Sequence, residues 1–401
     1  MLLSRFGRVD GGGLTVKNRE LPVGVPPVDS SLRGGPFVFQ NTSVGLDVHA
    51  RSVVAHGVNR ETGEVFGHYF GKDHGDEDVV AWVAGLPGPV AACYEAGPTG
   101  FGLARAFADA GITCLVAAPS KLLPLPGDRV KTDARDAAHL ATLLAAGAVT
   151  QVRVPSVDQE ALRDLVRARE DVRGDLMRVR HRISKLLLRH GVVYDGKTTW
   201  NQAHLDWLAH QRFDQAGTQV GFDDCLAAVT QATARRTHLD AQLEELLPDS
   251  GYAPVVAALS CLRGISTLTG FGLAVEIGDW TRFTGSTIGA YLGLVPSEHS
   301  SGQSRSLGGI TKTGNQHARR LLIEAAWHHR AEYRPGASLR LRKQWEHVDP
   351  LVQARADQAN RRLHRQWAKF DARKKRPVTA NAAIARELAG FCWSLAMMTT
   401  K

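Results

Sequence analysis

The chain has 401 residues, 43% of them hydrophobic and 22% charged, which is enough for two or three domains that each bury a core. Its 49 Lys and Arg outnumber its 40 Asp and Glu, and the net charge of +9 favours a polyanionic partner. Five scattered cysteines without a Cys-x-x-Cys pair argue against a disulfide framework or a zinc site, and the lack of any apolar stretch near about 18 residues argues against a membrane span.

The first 42 residues differ from the rest of the chain. They carry Gly11-Gly12-Gly13, Pro26-Pro27 and Gly34-Gly35 with little periodic hydrophobicity. This composition predicts a flexible leader over residues 1–42, outside the folded domains. A start codon set too far upstream would also explain it.

Residues 43–150 alternate between strand and helix signals and predict an α/β domain. Three strands come first, Val44–Val48, Ser52–Asn59 and Val65–Phe70, and the last two are joined as a hairpin. The elements expected next are a helix, a strand, a helix, a strand and a helix, at Asp76–Ala84, Val90–Tyr94, Thr99–Ala110, Ile112–Ala117 and Thr132–Ala146. An antiparallel start followed by a parallel half is the order of the ribonuclease H fold, to which RuvC-like nuclease domains belong.

Four carboxylates are the candidate catalytic residues of this domain. Asp47 lies at the end of the first strand, Glu95 ends a later strand, and Asp133 and Asp136 open a helix. Residues three apart share one helix face, so all four carboxylates can meet, and their charges would repel without a cation. Oxygen ligands without His or Cys favour Mg²⁺ or Mn²⁺. The alternative is that each acid is a turn residue or a helix cap.

Residues 151–250 hold two long helical segments with apolar side chains at alternating spacings of three and four. The first seam is interrupted by Arg169, and the second runs from Cys225 to Leu246. This pattern predicts a coiled-coil helical hairpin, formed within one chain or between chains. A basic face on the first helix predicts contacts to a nucleic-acid backbone, with a solvated face as the alternative. Its candidate contacts are Arg173, Arg178, Arg182 and Lys185.

Residues 251–401 predict a mainly helical domain. Leu262–Gly270 followed by Ala274–Ile277 resembles a helix–hairpin–helix, whose backbone amides face a phosphate. Ser300 and Ser301 lie in a polar loop. A basic helical tail with Trp367 and Phe370 interleaved covers residues 353–376 and predicts a segment that contacts RNA or DNA, with a basic surface helix as the alternative. Further candidate nucleic-acid contacts in this domain are Arg305, Lys312, Arg319, Arg320, Arg361 and Arg365.

Several motifs together resemble the insertion sequence 110 family of DEDD transposases, which are related to the Piv DNA invertase. The resemblance rests on Val44-Gly45-Leu46-Asp47-Val48-His49, Tyr94-Glu95-Ala96, Lys131-Thr132-Asp133-Ala134-Arg135-Asp136-Ala137, and Ser300-Ser301-Gly302 followed by Gly309-Ile310-Thr311-Lys312-Thr313-Gly314-Asn315. It spans about residues 43–330. The leader departs from the family, whose first strand usually lies near the start of the chain.

The resemblance implies a RuvC-like domain at 43–150, a coiled-coil middle at 151–250 and a transposase domain at 251–401 with a nucleophilic serine. It implies that Asp47, Glu95, Asp133 and Asp136 hold Mg²⁺ or Mn²⁺, and that Ser301, or its neighbour Ser300, attacks DNA. Donor and target DNA, a structured noncoding bridge RNA and further copies of the chain are the implied partners. We expect such a protein in the bacterial cytoplasm, acting through metal and serine of different subunits.

Three other functions remain to be weighed. A metal-dependent junction resolvase or nuclease would use the acids and leave the serine structural. A nucleic-acid-binding protein without catalysis is disfavoured by the intact acidic quartet. An actin-like sugar kinase also begins with Gly-x-Asp after a strand, but the sequence lacks a Gly-rich phosphate loop.

Overall fold

The computed structural model describes residues 41–122, 132–301, 304, 306–335 and 345–399. Most of the predicted leader, together with Lys131, Gly302 and Arg305, lies outside these residues. The described part up to Val152 forms one compact unit, and the part from Arg153 onwards forms a second. The further boundary near residue 250 stays a prediction. No helix in the described ranges is long and apolar enough to cross a membrane.

The first unit is built on a five-stranded sheet with three helices. Its strands are β1 (Thr42–His49), β2 (Ser52–Asn59), β3 (Val65–Phe70), β4 (Val90–Glu95) and β5 (Thr113–Ala117), and its helices are α1 (Asp76–Ala84), α2 (Gly102–Asp109) and α3 (Asp133–Ala145). The strand order is β3-β2-β1-β4-β5; β1, β2 and β3 pair antiparallel, and β1, β4 and β5 pair parallel. The predicted elements and their antiparallel-then-parallel order are confirmed, with bounds that shift by up to three residues.

Two long helices dominate the start of the second unit. They are α4 (Val157–Arg189) and α6 (Ala216–Leu246), with the short α5 (Gln202–Ala209) between them. Val166 of α4 packs in one apolar cluster with Leu243 of α6, and Leu176–Leu187 pack in another with residues 222–232, so the two helices run antiparallel. The predicted pairing is thus found within one chain, while classification as a coiled coil and pairing between chains stay predictions.

The one polar residue in the predicted seam of α4 is also paired. The Arg169 Nε donates to Asp240 Oδ1 at 2.7 Å, and both side chains are about three-quarters buried. This ion pair lies along the helices between the two apolar clusters. A polar pair at such a position favours one alignment of two helices over shifted ones.

The remainder of the second unit is helical apart from one hairpin. Its elements are α7 (Ala253–Ser260), α8 (Thr267–Ile277), α9 (Ile288–Tyr291), β6 (Pro296–Glu298), β7 (Leu307–Ile310), α10 (Gln316–Trp327), α11 (Pro350–Ala372) and α12 (Pro377–Thr399). A single core joins α7, α8, α10, α11 and α12. Trp367, expected among the basic residues of a surface helix, is fully buried in this core, and its ring N–H donates to Ala326 O at 3.1 Å. The helix–hairpin–helix assignment of α7 and α8 stays a prediction.

Candidate metal centre and serine hairpin

The position of α3 against β1 depends on Gly45. A Cβ atom at Gly45 would lie 2.0 Å from the Ala137 carbonyl oxygen and 2.4 Å from the Ala141 nitrogen, so the helix backbone rests directly on the strand. Two paths start at this contact. One runs two residues along β1 from Gly45, a distance of about 7 Å, and the other runs four residues back along α3 from Ala137, a distance of about 6 Å. The two paths end at Asp47 and Asp133. A glycine in the first strand therefore places these two carboxylates side by side.

Asp47, His49 and Asp133 form the acidic cluster of the first unit. One ligand atom from each of the three lies within 4.8 Å of the others. The His49 Nε2 is 3.2 Å from Asp47 Oδ2 and 3.7 Å from Asp133 Oδ2. The Asp133 side chain is 60% exposed and that of Asp47 is 21% exposed, so the cluster is open to solvent on the side of α3.

The electrostatics of the cluster favour a bound cation. Burial raises the pKa of Asp47; the His49 ring acts against this rise, and the charges of Asp133 and Asp136 add to it. No Lys or Arg of the described residues forms an ion pair with Asp47 or Asp133. Two carboxylates with an imidazole alongside form a donor set that fits a divalent ion, and the carboxylate oxygens suit Mg²⁺ or Mn²⁺.

The other two predicted ligands lie near the cluster. β1 and β4 pair in parallel up to Leu46 and Tyr94, so Asp47 and Glu95 each follow the last pair at the same edge of the sheet. Asp136 lies three residues after Asp133 on α3 and raises the pKa of Asp47 through its charge. Within the described ranges, neither Glu95 nor Asp136 belongs to the group whose ligand atoms come within 4.8 Å.

His49 was not among the predicted site residues. Its spacing offered a signal, because residues two apart on a strand point to the same face. His49 follows Asp47 at that spacing in β1. A histidine at the end of a strand is common, however, and nothing in the sequence connects it with Asp133.

The two candidate nucleophiles lie at the tip of the β6–β7 hairpin. The Ser300 hydroxyl donates to Glu298 Oε1 at 2.7 Å, and the Ser301 backbone is bridged to Ser304 by two hydrogen bonds of 3.0 and 3.1 Å. Both serines are exposed. A carboxylate in hydrogen-bond reach of a hydroxyl can accept its proton, so this contact favours Ser300 chemically. The backbone of Ser301 is held by its hydrogen bonds to Ser304, and its role as the nucleophile stays a prediction.

The loop after β7 is shaped by close backbone contacts. Lys312 and Gly314 have φ angles of +57° and +68°. A Cβ atom at Gly314 would lie 1.9 Å from the Tyr291 carbonyl oxygen, which only glycine avoids. Asn315 then caps α10 by accepting a hydrogen bond from the Ala318 nitrogen at 2.9 Å. The Gly-Asn part of the motif therefore has a structural role.

A buried carboxylate that the sequence analysis missed lies behind this loop. Glu276 of α8 accepts two hydrogen bonds from Arg167 at 3.0 and 3.1 Å and one from Asn315 at 2.6 Å, and the His317 Nδ1 lies 3.2 Å away. Burial alone would raise the pKa of Glu276, but the hydrogen bonds from His317, Arg167 and Asn315 outweigh burial and hold the pKa at about 2. Glu276 thus joins α4, α8 and α10.

The predicted nucleic-acid contacts divide into paired and unpaired cations. Arg173, Arg178, Arg320 and Arg361 each pair with a carboxylate, and Arg319 donates to the carbonyl oxygens of Leu292 and Thr313. The exposed residues that make no ion pair with a described residue are Arg182, Lys185, Lys312 and Arg365. Arg305 lies outside the described residues. All ten contacts stay predictions.

Comparison with known proteins connects both sites with one kind of enzyme. The IS110-type DEDD transposase family matches residues 44–191, which include the acidic cluster, and the family described as Transposase IS116/IS110/IS902 matches residues 256–340, which include the serine hairpin. A putative transposase, y4qE, of Sinorhizobium fredii is 38% identical over 371 residues, which cover 91% of each chain. The transposase for insertion sequence element IS1533 of Leptospira borgpetersenii is 28% identical over 341 residues, which cover 83% of this chain and 97% of that protein.

Proposed function

Because the chain belongs to the IS110 family of insertion-sequence transposases, enzymes that act on DNA by phosphoryl transfer, we propose that it recombines DNA with a metal-bound acidic cluster and a serine nucleophile. The convergence of Asp47, His49 and Asp133 supports the metal site. We propose Glu95 and Asp136 as further ligands. A divalent cation held there would polarise the scissile phosphate and neutralise charge that develops in the transition state.

The proposed nucleophile is the Ser301 hydroxyl. Its oxygen forms a bond to the phosphorus while the bond from phosphorus to the departing deoxyribose oxygen breaks, and the hydroxyl proton ends on that oxygen. The number of phosphoester bonds is unchanged, so the DNA end can be rejoined by the reverse reaction without ATP. Ser300, whose hydroxyl donates to Glu298, is the alternative nucleophile.

The metal site is tested by Asp133→Asn. We expect DNA cleavage in Mg²⁺ or Mn²⁺ to fall by roughly a hundredfold or more, because one ligand of the cation is lost, while DNA binding is retained. Asp109→Asn, an exposed carboxylate at the end of α2 in the same unit, is the matched control and should cleave normally. Cleavage by Asp133→Asn at the wild-type rate would remove the metal site from the proposal.

The serine is tested by trapping the covalent intermediate on a nicked substrate. The wild type should leave DNA attached to the protein during denaturing electrophoresis, and Ser301→Ala should lose both this adduct and recombination. If the adduct instead survives in Ser301→Ala and vanishes in Ser300→Ala and Glu298→Gln, the nucleophile is Ser300. Clean cutting by the wild type with no adduct would mean that water attacks, and the enzyme would then be a metal-dependent resolvase or nuclease.

We propose that the active enzyme is a homo-oligomer in which the acidic cluster of one subunit serves the serine of another. A mixture of Asp133→Asn and Ser301→Ala subunits tests this directly. Activity in the mixture, when each variant alone is inactive, would support sharing between subunits. An inactive mixture of subunits that demonstrably exchange would contradict it.

We also propose a structured bridge RNA as a partner that selects donor and target DNA. The family resemblance and the net charge of +9 support this proposal. Sequencing of RNA that copurifies with the protein should yield one dominant species encoded in the noncoding DNA beside its gene. A random sample of cellular RNA would contradict the proposal and leave the DNA chemistry untouched.

A further inference from the structure

A large groove lies in the second unit, between the β6–β7 hairpin, α10, α11 and α12. Its volume is about 1390 Å³. Sites for small molecules usually have volumes of about 300–1,000 Å³, so this groove is sized for an extended ligand. Pro296 and residues 307–310 of the hairpin form one of its walls, and residues 378–394 of α12 form much of another.

The groove is strongly positive. Among the described residues, seven Lys and Arg line it, against the single acid Glu387. Two of the seven are neutralised, since Arg320 pairs with Glu170 and Glu324, and Arg362 pairs with Glu387. The other five make no ion pair with any carboxylate in the part of the chain that the structure describes: Lys312, Arg319, Arg355, Lys375 and Arg386.

Two of the unneutralised arginines are held in place by neutral groups. The Arg319 guanidinium donates to the carbonyl oxygens of Leu292 and Thr313 at 3.1 and 2.7 Å. Arg355 donates to Ser394 Oγ at 3.0 Å and lies over the Phe391 ring. Such side chains are positioned without losing their charge. A concave surface with several fixed positive charges attracts a polyanion.

The groove also offers aromatic surface. Trp327 and Trp393 line it, and Trp327 is 39% exposed. A duplex hides the faces of its bases, whereas an unpaired strand can stack them on indole rings while its phosphates meet cations. Groove cations that make no ion pair with a described residue, together with the exposed Trp327 ring, therefore fit a single strand better than a duplex.

The groove is bordered by the hairpin that carries the candidate nucleophiles. Its hairpin wall consists of β6 and β7, and Ser300 and Ser301 lie between these two strands. A nucleic-acid strand in the groove would pass beside the hairpin that acts on DNA. This step rests on the proposed function, and it identifies the strand as DNA.

We propose that the groove binds single-stranded DNA next to the cleavage point, with Arg319, Arg355 and Arg386 on phosphates and Trp327 against a base. The groove holds the strand that is opened during recombination and keeps it close to the serine hairpin. The paired cations of α4, such as Arg173 and Arg178, have no part in this binding.

The test measures binding of the full-length protein to a labelled DNA strand of about 20 nucleotides without divalent metal, so that no cleavage occurs. The double variant Lys375→Gln/Arg386→Gln removes two exposed groove cations. Affinity for the strand should fall roughly tenfold at about 0.1 M salt, and the salt dependence should weaken by about 1.4 in slope. The control Arg235→Gln/Arg334→Gln removes two exposed cations outside the groove and should change affinity less than about twofold.

A second variant tests the stacking contact. Trp327→Ala should weaken binding of the single strand by about five- to 150-fold and leave duplex binding unchanged. Near-ultraviolet circular dichroism checks its fold; if this variant is misfolded, the charge variants alone decide.

Three outcomes would overturn the proposal: equal losses in the groove and control double variants, duplex binding that depends on the groove as strongly as single-strand binding, or tighter groove-dependent binding of RNA of the same sequence. Binding without metal is independent of Ser301. A missing covalent adduct would therefore refute the proposed chemistry and not the groove, and a failed groove would leave the chemistry standing.

Discussion

Asp47 in the first unit and Glu276 in the second are both carboxylates withdrawn from water, and their surroundings differ. Glu276 is buried, and it accepts hydrogen bonds from the charged Arg167 and from the neutral amide of Asn315. Asp47 lies beside a second carboxylate, that of Asp133, and the other described member of the cluster is the His49 ring. Burial acts on both acids, but it leaves the pKa of Asp47 raised and that of Glu276 at about 2.

The difference separates a structural charge from one that requires a ligand. A carboxylate with built-in donors stabilises the fold, and its removal leaves buried cations unpaired. A carboxylate whose neighbours repel it is stabilised only when a cation arrives from solution. The same distinction divides the cations, since Arg173 and Arg178 are paired whereas Arg386 and Lys312 of the groove make no ion pair with a described residue.

The largest expected effect is the loss of stability in Glu276→Gln. We expect the free energy of unfolding of the second unit to fall by about 3–5 kcal/mol, because the variant leaves Arg167 and Arg163 without their shared counterion. Urea unfolding followed by tryptophan fluorescence measures it, since seven of the eight tryptophans follow residue 153. Asp175→Asn breaks an exposed ion pair with Arg178 and should cost less than about 1 kcal/mol. Equal losses of unfolding free energy in the two variants would show that Glu276 contributes no more to stability than an exposed ion pair does.

The contribution of Glu276 to stability should change with pH by a similar amount. The folded pKa of Glu276 is about 2 and its ordinary value is 4.5, so its contribution is complete above pH 4.5 and is lost as pH falls toward 2. The groups that face it are Arg163, Arg167, Asn315 and His317. The stability difference between wild type and Glu276→Gln should therefore shrink by up to about 3 kcal/mol over that window. A difference that stays constant from pH 6 to pH 3 would show that folding does not shift the pKa of Glu276, and one that grows would show that burial outweighs the hydrogen bonds.

Gly45→Ala should have an intermediate effect on stability. It acts at the α3–β1 contact that positions Asp47 and Asp133. A Cβ atom 2.0 Å from the Ala137 oxygen forces α3 away from β1, at a cost of about 1–3 kcal/mol. Hydrogen exchange of the α3 and β1 amides measures the loss, and metal affinity should fall with it because Asp133 moves. Gly67→Ala on β3 is the control, since its Cβ atom would meet nothing closer than 4.0 Å. Unchanged protection of α3 in Gly45→Ala would show that this contact does not position the helix.

The smallest effect concerns Asp133→Asn without metal. Removing one of two neighbouring negative charges should leave the free energy of unfolding within about 1 kcal/mol of the wild type and raise it if anything. Thermal unfolding with and without Mn²⁺ measures this, and only the wild type should gain stability from the metal. A metal-free variant destabilised by more than about 2 kcal/mol would place Asp133 among the structural charges with Glu276.

The sequence predicted the first unit well because its signals are local. Strands β1 to β5 are short apolar runs bounded by turns, and α3 begins at Asp133 after the cap residue Thr132, whose side chain accepts a hydrogen bond from the Arg135 nitrogen. The end of a strand and the first turn of a helix are positions that such patterns locate within a few residues. The candidate ligands Asp47 and Asp133 followed from them.

The second unit holds what could not be predicted. The donors to Glu276 come from residues 109 and 39 positions away along the chain, so no local pattern connects them. Trp367 was expected in a basic, nucleic-acid-contacting segment because its neighbours are charged, but its position on α11 turns it into the core. The groove cations likewise come from α10, α11, α12 and two loops, which only the tertiary fold brings together.

The ion pair between Arg169 and Asp240 has a consequence for how this chain can diversify. It divides the α4–α6 pair into two segments. The proximal segment, around Val166 and Leu243, packs on α8. The distal segment, from Leu176 to Leu187 of α4 and residues 222–232 of α6, has its own small core around Leu208 and Phe222. A distal segment whose buried apolar cluster is separate from the proximal one can be exchanged as a cassette, with the ion pair as the junction. Recombination at this ion pair would give related transposases α4–α6 arms of new length or surface. Grafting residues 170–239 from a relative should give a folded chimera with an α4–α6 arm of different length.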